Sequence, residues 1–325
     1  MSLARPSRDY GFFHALGFFH VGEALDHARA ADDLQDPAPS LPEAQEEEVS
    51  GLESIADRDS RVWLWLSIAA AVVAIAGNIV ALTVPSFYGE LTPAFLPQAI
   101  AQDVANLVLA APATIILAAL ALRGSLRSYL VWLGVVTFTV YNYVIYAFAV
   151  PFGPLFLLWS AVLGLSIYSL IGGIATLRHP LVQGAYRSRR LERVVGLVLL
   201  VVSAFFAFVW LSEDVPALLS SAAPASLAAL GLPTNPVHIL DLAFFLPAAA
   251  GAGVMLLRRT PLGYSLAPAL LVFLILTGVP ILITPLVQAR IGMPADWGVA
   301  LPIGTLTVLM TALLAWLMTS IRADA

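Results

Sequence analysis

The sequence predicts an all-α fold, a polytopic membrane helix bundle of about eight transmembrane helices that reads as two parallel four-helix repeats. Three observations predict it. Of 325 residues, 60% are apolar and 11% charged, and the mean hydropathy of +0.88 lies far outside the range of a soluble globular domain. Eight apolar runs, each roughly 19–24 residues long, match the length that crosses about 30 Å of hydrocarbon. The charge collects in the first sixty residues and in short tracts between the runs, as it does in membrane proteins.

Residues 1–61 read as a cytoplasmic tail. Within it, residues 9–34 carry Phe12, Phe13, Leu16, Phe19 and Leu25 at near-helical spacing, which predicts an amphipathic helix. The tail lacks the apolar core and small-residue cleavage site of a signal peptide. Residues 36–59 turn to Pro, Ser, Glu and Asp and read as an acidic linker. A sensor or assembly role would place a cytoplasmic protein partner on this tail.

The apolar runs lie near 62–83, 100–122, 129–150, 155–177, 194–212, 237–257, 265–288 and 299–320, which divides the membrane region into halves 62–193 and 194–325. Arginine then sets orientation. Arg58, Arg61, Arg123, Arg127, the Arg178–Arg193 group, Arg258, Arg259 and Arg322 all fall on one side of an eight-span chain, and Arg290 falls on the other. The positive-inside rule makes the first side cytoplasmic, with both termini there and the protein in the cell membrane.

Aligning the chain on itself with His238 over Asp103, an offset of 135 residues, pairs Asn106 with Asp241, Pro112 with Pro247, Arg123 with Arg258, Tyr129 with Tyr264 and Phe138 with Phe273. A polar pair three apart, a mid-span proline, an arginine at the inner end and a tyrosine opening the next span recur in one order. Four spans separate equivalent elements, so the halves share one orientation and the repeat is parallel.

The costly polar groups fall in the outer parts of the spans. Asp103 with Asn106, and His238 with Asp241, lie three apart and therefore on one helix face in each half. Asp103 reads as a residue near the outer interface. Asn142 and Tyr146, four apart on the third span, add a second stripe. These six residues read as one polar ligand-binding cavity between the halves, open to the outside. A structural reading stands beside it: Asn235-Pro236 makes a good helix cap, an acid in a first turn suits the helix dipole, and tyrosine anchors at interfaces. A weaker reading gives Asp103, His238 and Asp241 to a divalent metal, since imidazole and carboxylates suit zinc or manganese, but a single histidine is fewer than most catalytic zinc sites use. No cofactor is expected. The absence of cysteine removes thiol chemistry and iron–sulfur clusters, no phosphate-binding motif is present, and a net charge of −5 gives no reason to expect nucleic acid. Ser160, Ser166, Ser169 and Gly172-Gly173 read as close helix packing. His179 sits in a basic loop suited to anionic lipid headgroups.

Residues 123–171 hold an Arg-Gly-Ser-Leu-Arg loop, a Tyr-x-x-Tyr third span and a Phe-x-x-Leu-Phe-Leu-Leu entry to the fourth, and Arg258 to Tyr264 carries Arg-Arg-x-Pro-x-Gly-Tyr. These stretches resemble a family of uncharacterised bacterial multi-span membrane proteins with no established activity. The resemblance implies architecture and no site residue.

The function expected first is a transporter or permease handling a small solute, ion or lipid between the two halves, with membrane lipids around it. The alternatives are a membrane-embedded enzyme acting on a lipid or envelope substrate at the outer face, and a membrane sensor or assembly subunit.

Overall fold

The computed structural model describes residues 58–322. The expectations for the tail, the helix at 9–34 and nearly all of the linker at 36–59, lie outside the described residues.

Eight helices are long and apolar enough to cross a membrane, and the chain is a multi-pass, all-α membrane protein. They are α1 (Arg58–Thr83), α2 (Leu96–Ala121), α3 (Leu126–Ala149), α4 (Phe156–Ala175), α6 (Arg189–Leu219), α8 (Pro236–Leu257), α9 (Pro261–Arg290) and α10 (Ala300–Ser320). Two short helices, α5 (His179–Ala185) and α7 (Ala225–Leu230), and a 3-10 turn at Pro85–Tyr88 lie in the connections. Local chemistry marks the ends. Ser125 and Ser188 cap α3 and α6 by accepting the amides of Ser128 and Leu191, and Asn235 caps α8 by accepting those of Val237 and His238.

Two of the extensions past the predicted runs bear on the polar residues. The second span begins at Leu96 with Pro97 in its first turn, and the fifth continues to Leu219 through Glu213, Asp214 and Pro216. Proline in a first turn costs no intrahelical bond, which lets α2 start earlier than its most apolar stretch. Asp103 therefore lies two turns inside the helix, where it is 1% exposed.

The helices α1, α2, α3 and α4 pack around one another, and α6, α8, α9 and α10 form a second group. Glycines allow the close approaches that the Ser/Gly pattern of α4 predicts: a Cβ on Gly172 would lie 2.1 Å from the Trp63 ring, and one on Gly173 would lie 2.7 Å from that of Trp132. The groups meet where α9 lies along α3 and along the outer part of α2. At that crossing Gly134 faces Ala269, and a Cβ on Gly134 would stand 2.4 Å from the Ala269 carbonyl oxygen. Above it Tyr141, Phe245 and Phe273 interlock, with ring centroids 4.6–5.3 Å apart, so the joint is filled by aromatic side chains.

In α2 and in α8 one turn is π-helical, Asn106–Ala110 and Asp241–Phe245 respectively. Each ends two residues before a proline, Pro112 or Pro247, the second residue of the α-helical segment that follows. Proline has no amide to donate backwards, and the widened turn closes the backbone instead with the amides of Ala111 and Leu246 reaching the carbonyls of Asn106 and Asp241.

The arginine-rich ends of the helices are tied together. Arg187 N–H donates to Ser320 O (3.1 Å) and Arg322 N–H to Ala185 O (3.0 Å), forming a short bridge between the α5–α6 connection and the chain after α10. Tyr186 donates to Tyr264 O and Tyr264 to the buried Glu192, both at 2.9 Å. His179 shares a hydrogen bond of 2.9 Å with Ser265, and burial lowers its pKa. At the opposite ends Thr92 donates to Leu230 O, joining the α1–α2 and α6–α8 connections.

Candidate functional site: two buried polar clusters

The predicted site residues fall into two hydrogen-bonded clusters, one in each helix group. In the first, Asp103 on α2 accepts from Tyr88 (2.6 Å) and from Tyr146 (2.7 Å). Tyr88 comes from the 3-10 turn and Tyr146 from α3, so the carboxyl is roofed by the connection and walled by a neighbouring span. Burial, and then the charge of Asp103, push the Tyr88 hydroxyl well above its ordinary range, which keeps it a proton donor to the carboxyl. Tyr146 stacks on Tyr143 one turn deeper, and Tyr143 donates weakly to Asn78 on α1 at 3.5 Å.

Around this carboxyl stand amides with no partner. The side-chain nitrogens of Asn78, Gln102, Asn106 and Asn142 are all buried without an acceptor. An unmet buried donor costs about 1–3 kcal/mol, and this concentration on α1, α2 and α3 points to something that accepts hydrogen bonds there. No charged group offsets Asp103. Among the described residues, the charges on α1 and α3 are Arg58, Asp59, Arg61 and Arg127, all in the first turn at the end of each helix away from Asp103, and the one charge on α9 is Arg290, exposed at its C-terminal end.

Beneath the cluster lies a small cavity with about 10 Å³ of room, the scale of one water molecule. Its polar lining is Ser67, Asn106, Thr114, Thr139, Tyr143 and Ser166, with alanines of α1 and α2 supplying the space. The Thr114 and Thr139 hydroxyls donate to carbonyls of their own helices, and Ser67 donates to Leu64 O while accepting from Trp132 Nε1, so their free lone pairs remain as acceptors.

The second cluster surrounds His238. Its Nδ1 lies 2.9 Å from Asp214, its Nε2 is 4.0 Å from Glu213, and its ring stacks on Trp210 with centroids 4.4 Å apart. Trp210 in turn donates to Asp241 at 2.9 Å. His238 is 5% exposed, whereas Asp241 is only partly buried. Asp214 and Glu213 reach it because α6 continues two turns beyond its predicted end.

Of the six predicted residues, the structure thus joins Asp103 directly to Tyr146, sets Asn106 one turn below Asp103, and leaves Asn142 buried with an unpaired nitrogen. His238 and Asp241 are linked through Trp210. No hydrogen bond among the described residues joins the two clusters. The metal reading gains nothing: among the described residues no three His, Cys, Asp or Glu side chains are grouped to hold an ion. The sequence reading passed over Tyr88, Asn78, Glu213 and Asp214. For two of these a signal existed, because the 135-residue offset that pairs Asp103 with His238 also pairs Asn78 with Glu213.

No protein-family model, curated protein or solved structure matches this chain.

Proposed function

We propose that this protein is a permease-like transporter of the cell membrane that handles a small solute or ion through the polar interior beneath its acidic face. The observation that carries it is Asp103: a carboxyl 1% exposed, within a membrane-spanning helix, contacted by neutral hydroxyls and surrounded by unpartnered amides. An intramembrane carboxyl without a counter-charge is expensive and marks a binding or conduction site. A π-helical turn and a proline directly below it loosen α2 where a moving helix would bend.

Two further features support the reading. The exposed arginines Arg123, Arg187, Arg189, Arg190, Arg193 and Arg258 lie at one set of helix ends, which makes that side cytoplasmic, and Glu90, Glu213, Asp214 and Asp296 lie at the other. A mouth lined by acids attracts cations and repels anions. The two π-helical turns stand 135 residues apart, and Gly134 meets Ala269, its own partner at that offset. Equivalent residues touch in this way at an axis relating two copies, which supports a parallel four-plus-four repeat with α3 and α9 at its centre.

The test is reconstitution into proteoliposomes with recording of transport currents over a panel of small cations and polar solutes. Currents present in the natural protein and lost in Asp103→Leu, with folding retained by gel filtration, are expected; undiminished currents in that variant would overturn the reading.

A second reading, an enzyme acting on a lipid or envelope substrate at the outer face, is favoured by the 2.9 Å pairing of His238 with Asp214, the arrangement by which a carboxylate orients a base. Release of a labelled lipid product by the natural protein, lost in His238→Ala, would carry it.

A further inference from the structure

The first helix group contains more than a buried carboxyl. Asn106 stands one turn below Asp103 and also lines the small cavity; Tyr143, stacked on Asp103's partner Tyr146, lines it as well. Carboxyl and cavity are therefore bridged by two polar side chains. The cavity holds one water-sized body and offers it the unpaired Asn106 nitrogen as donor and the hydroxyl oxygens of Thr114, Thr139, Ser67 and Ser166 as acceptors. That mixture suits water, which needs two to four polar partners of both kinds. A bare alkali cation would be repelled by the amide hydrogens.

From this arrangement we propose that the ion handled in the first helix group is the proton, taken up by Asp103 and passed inward through a water held in the cavity lined by Asn106, Thr114 and Tyr143. The proposal rests on the permease reading and names its ion. A proton arriving from the acidic face converts the Asp103 carboxylate into a neutral acid. The carboxylate re-forms as the proton passes to the cavity water, which gives up one of its own protons to the hydroxyls beyond; each hydroxyl releases its own proton onward as it gains one, the last to water at the inner face, so each passage moves one proton across and leaves every group as it began. Tyr88 and Tyr146 stay protonated throughout and hold the carboxyl in place. The titratable groups facing Asp103 are Tyr88 from the 3-10 turn and Tyr143 and Tyr146 from α3. On α1 the charges Arg58, Asp59 and Arg61 lie in its first turn, at the end away from Asp103, α4 carries none, and α9 brings Arg290 at its outer end and Tyr264 at its inner end, the latter bonded to Glu192. Protonation of Asp103 is thus the means by which its charge is cancelled inside the membrane.

The experiment uses the full chain in proteoliposomes loaded with a pH-sensitive dye, with an inward-negative potassium diffusion potential. The natural protein admits protons; Asp103→Asn falls to the rate of empty liposomes, and Thr114→Val, nearly isosteric but lacking the hydroxyl, is slowed several-fold. Ser160→Ala, which removes a hydroxyl of α4 outside the cavity lining, conducts like the natural protein and controls for folding. Undiminished proton entry in a folded Asp103→Asn protein overturns the proposal. So does the absence of proton entry together with Asp103-dependent uptake of radioactive sodium, a result that would leave the permease reading standing with another ion. Absence of every Asp103-dependent flux overturns both.

Discussion

Where the first helix group places Ser67, Ala70, Ala71, Thr114, Thr139 and Ser166 around an internal cavity, the second has Val202, Phe205, Phe206, Ala249, Leu274 and Leu301, each 135 residues further on. The backbone features match, down to a π-helical turn in α2 and in α8, but the filling does not. The first group keeps small and hydroxyl-bearing side chains from its outer carboxyl down to the Trp132–Ser67 pair. The second carries mostly larger apolar side chains at these positions, of which Phe205 and Leu301 are exposed, and its polar groups gather around His238 at one end and Glu192–Tyr264 at the other. The difference teaches that the two groups are filled differently: the first keeps a small polar cavity beside unpaired amides, where the second places bulky apolar side chains. On the permease reading, the first is where a ligand or ion would belong.

The comparison can be broken or sharpened by substitution. The largest effect is expected at the joint the two groups share: Gly134→Leu would drive a side chain into the Ala269 backbone, lowering stability by about 3 kcal/mol, seen as a lower melting temperature or loss of monodisperse protein. Next, His238→Leu leaves Asp214 and Glu213 without their partner and removes the Trp210 stack, costing about 2 kcal/mol in thermal or denaturant unfolding. Its counterpart should behave oppositely. Asn106→Leu removes a buried, unpartnered amide and raises stability by about 1 kcal/mol while abolishing flux, because the site is paid for in stability. A destabilised Asn106→Leu would mean that the amide is already satisfied within the fold. Smallest is Trp210→Phe, which keeps the ring stack and loses one hydrogen bond to Asp241, about 1 kcal/mol or less.

Much of the architecture was legible because lipid imposes a simple rule: long apolar runs, separated by arginine on alternate crossings, have few other solutions. The depth of the site was harder. Ending the fifth run at Ser212 treated Glu213 and Asp214 as the start of a loop, but the helix continues to Leu219 and carries both acids to His238. Starting the second run at residue 100 put Asp103 in its first turn, whereas the helix begins at Leu96, and Tyr88 and Tyr146 close over the carboxyl. Tyr88 could not be read at all, since a tyrosine in a connection gives no periodicity and its contact with Asp103 depends on how the 3-10 turn folds back. The unpaired amides are likewise invisible in sequence, because whether an asparagine finds a partner is a fact of three dimensions. Asn142 and Asn235 illustrate this: one is buried with its nitrogen unmet, the other is the helix cap its Pro-following context predicts.

The measurement that tests the central claim most directly is the infrared difference spectrum between acid and alkaline pH for the purified protein in lipid, compared with that of Asp103→Asn. A carboxyl C=O band at the high frequency of a dry environment, shifting in deuterium oxide and missing from the variant, is the predicted result. The same band present in Asp103→Asn would contradict it, because the proton would then be held elsewhere.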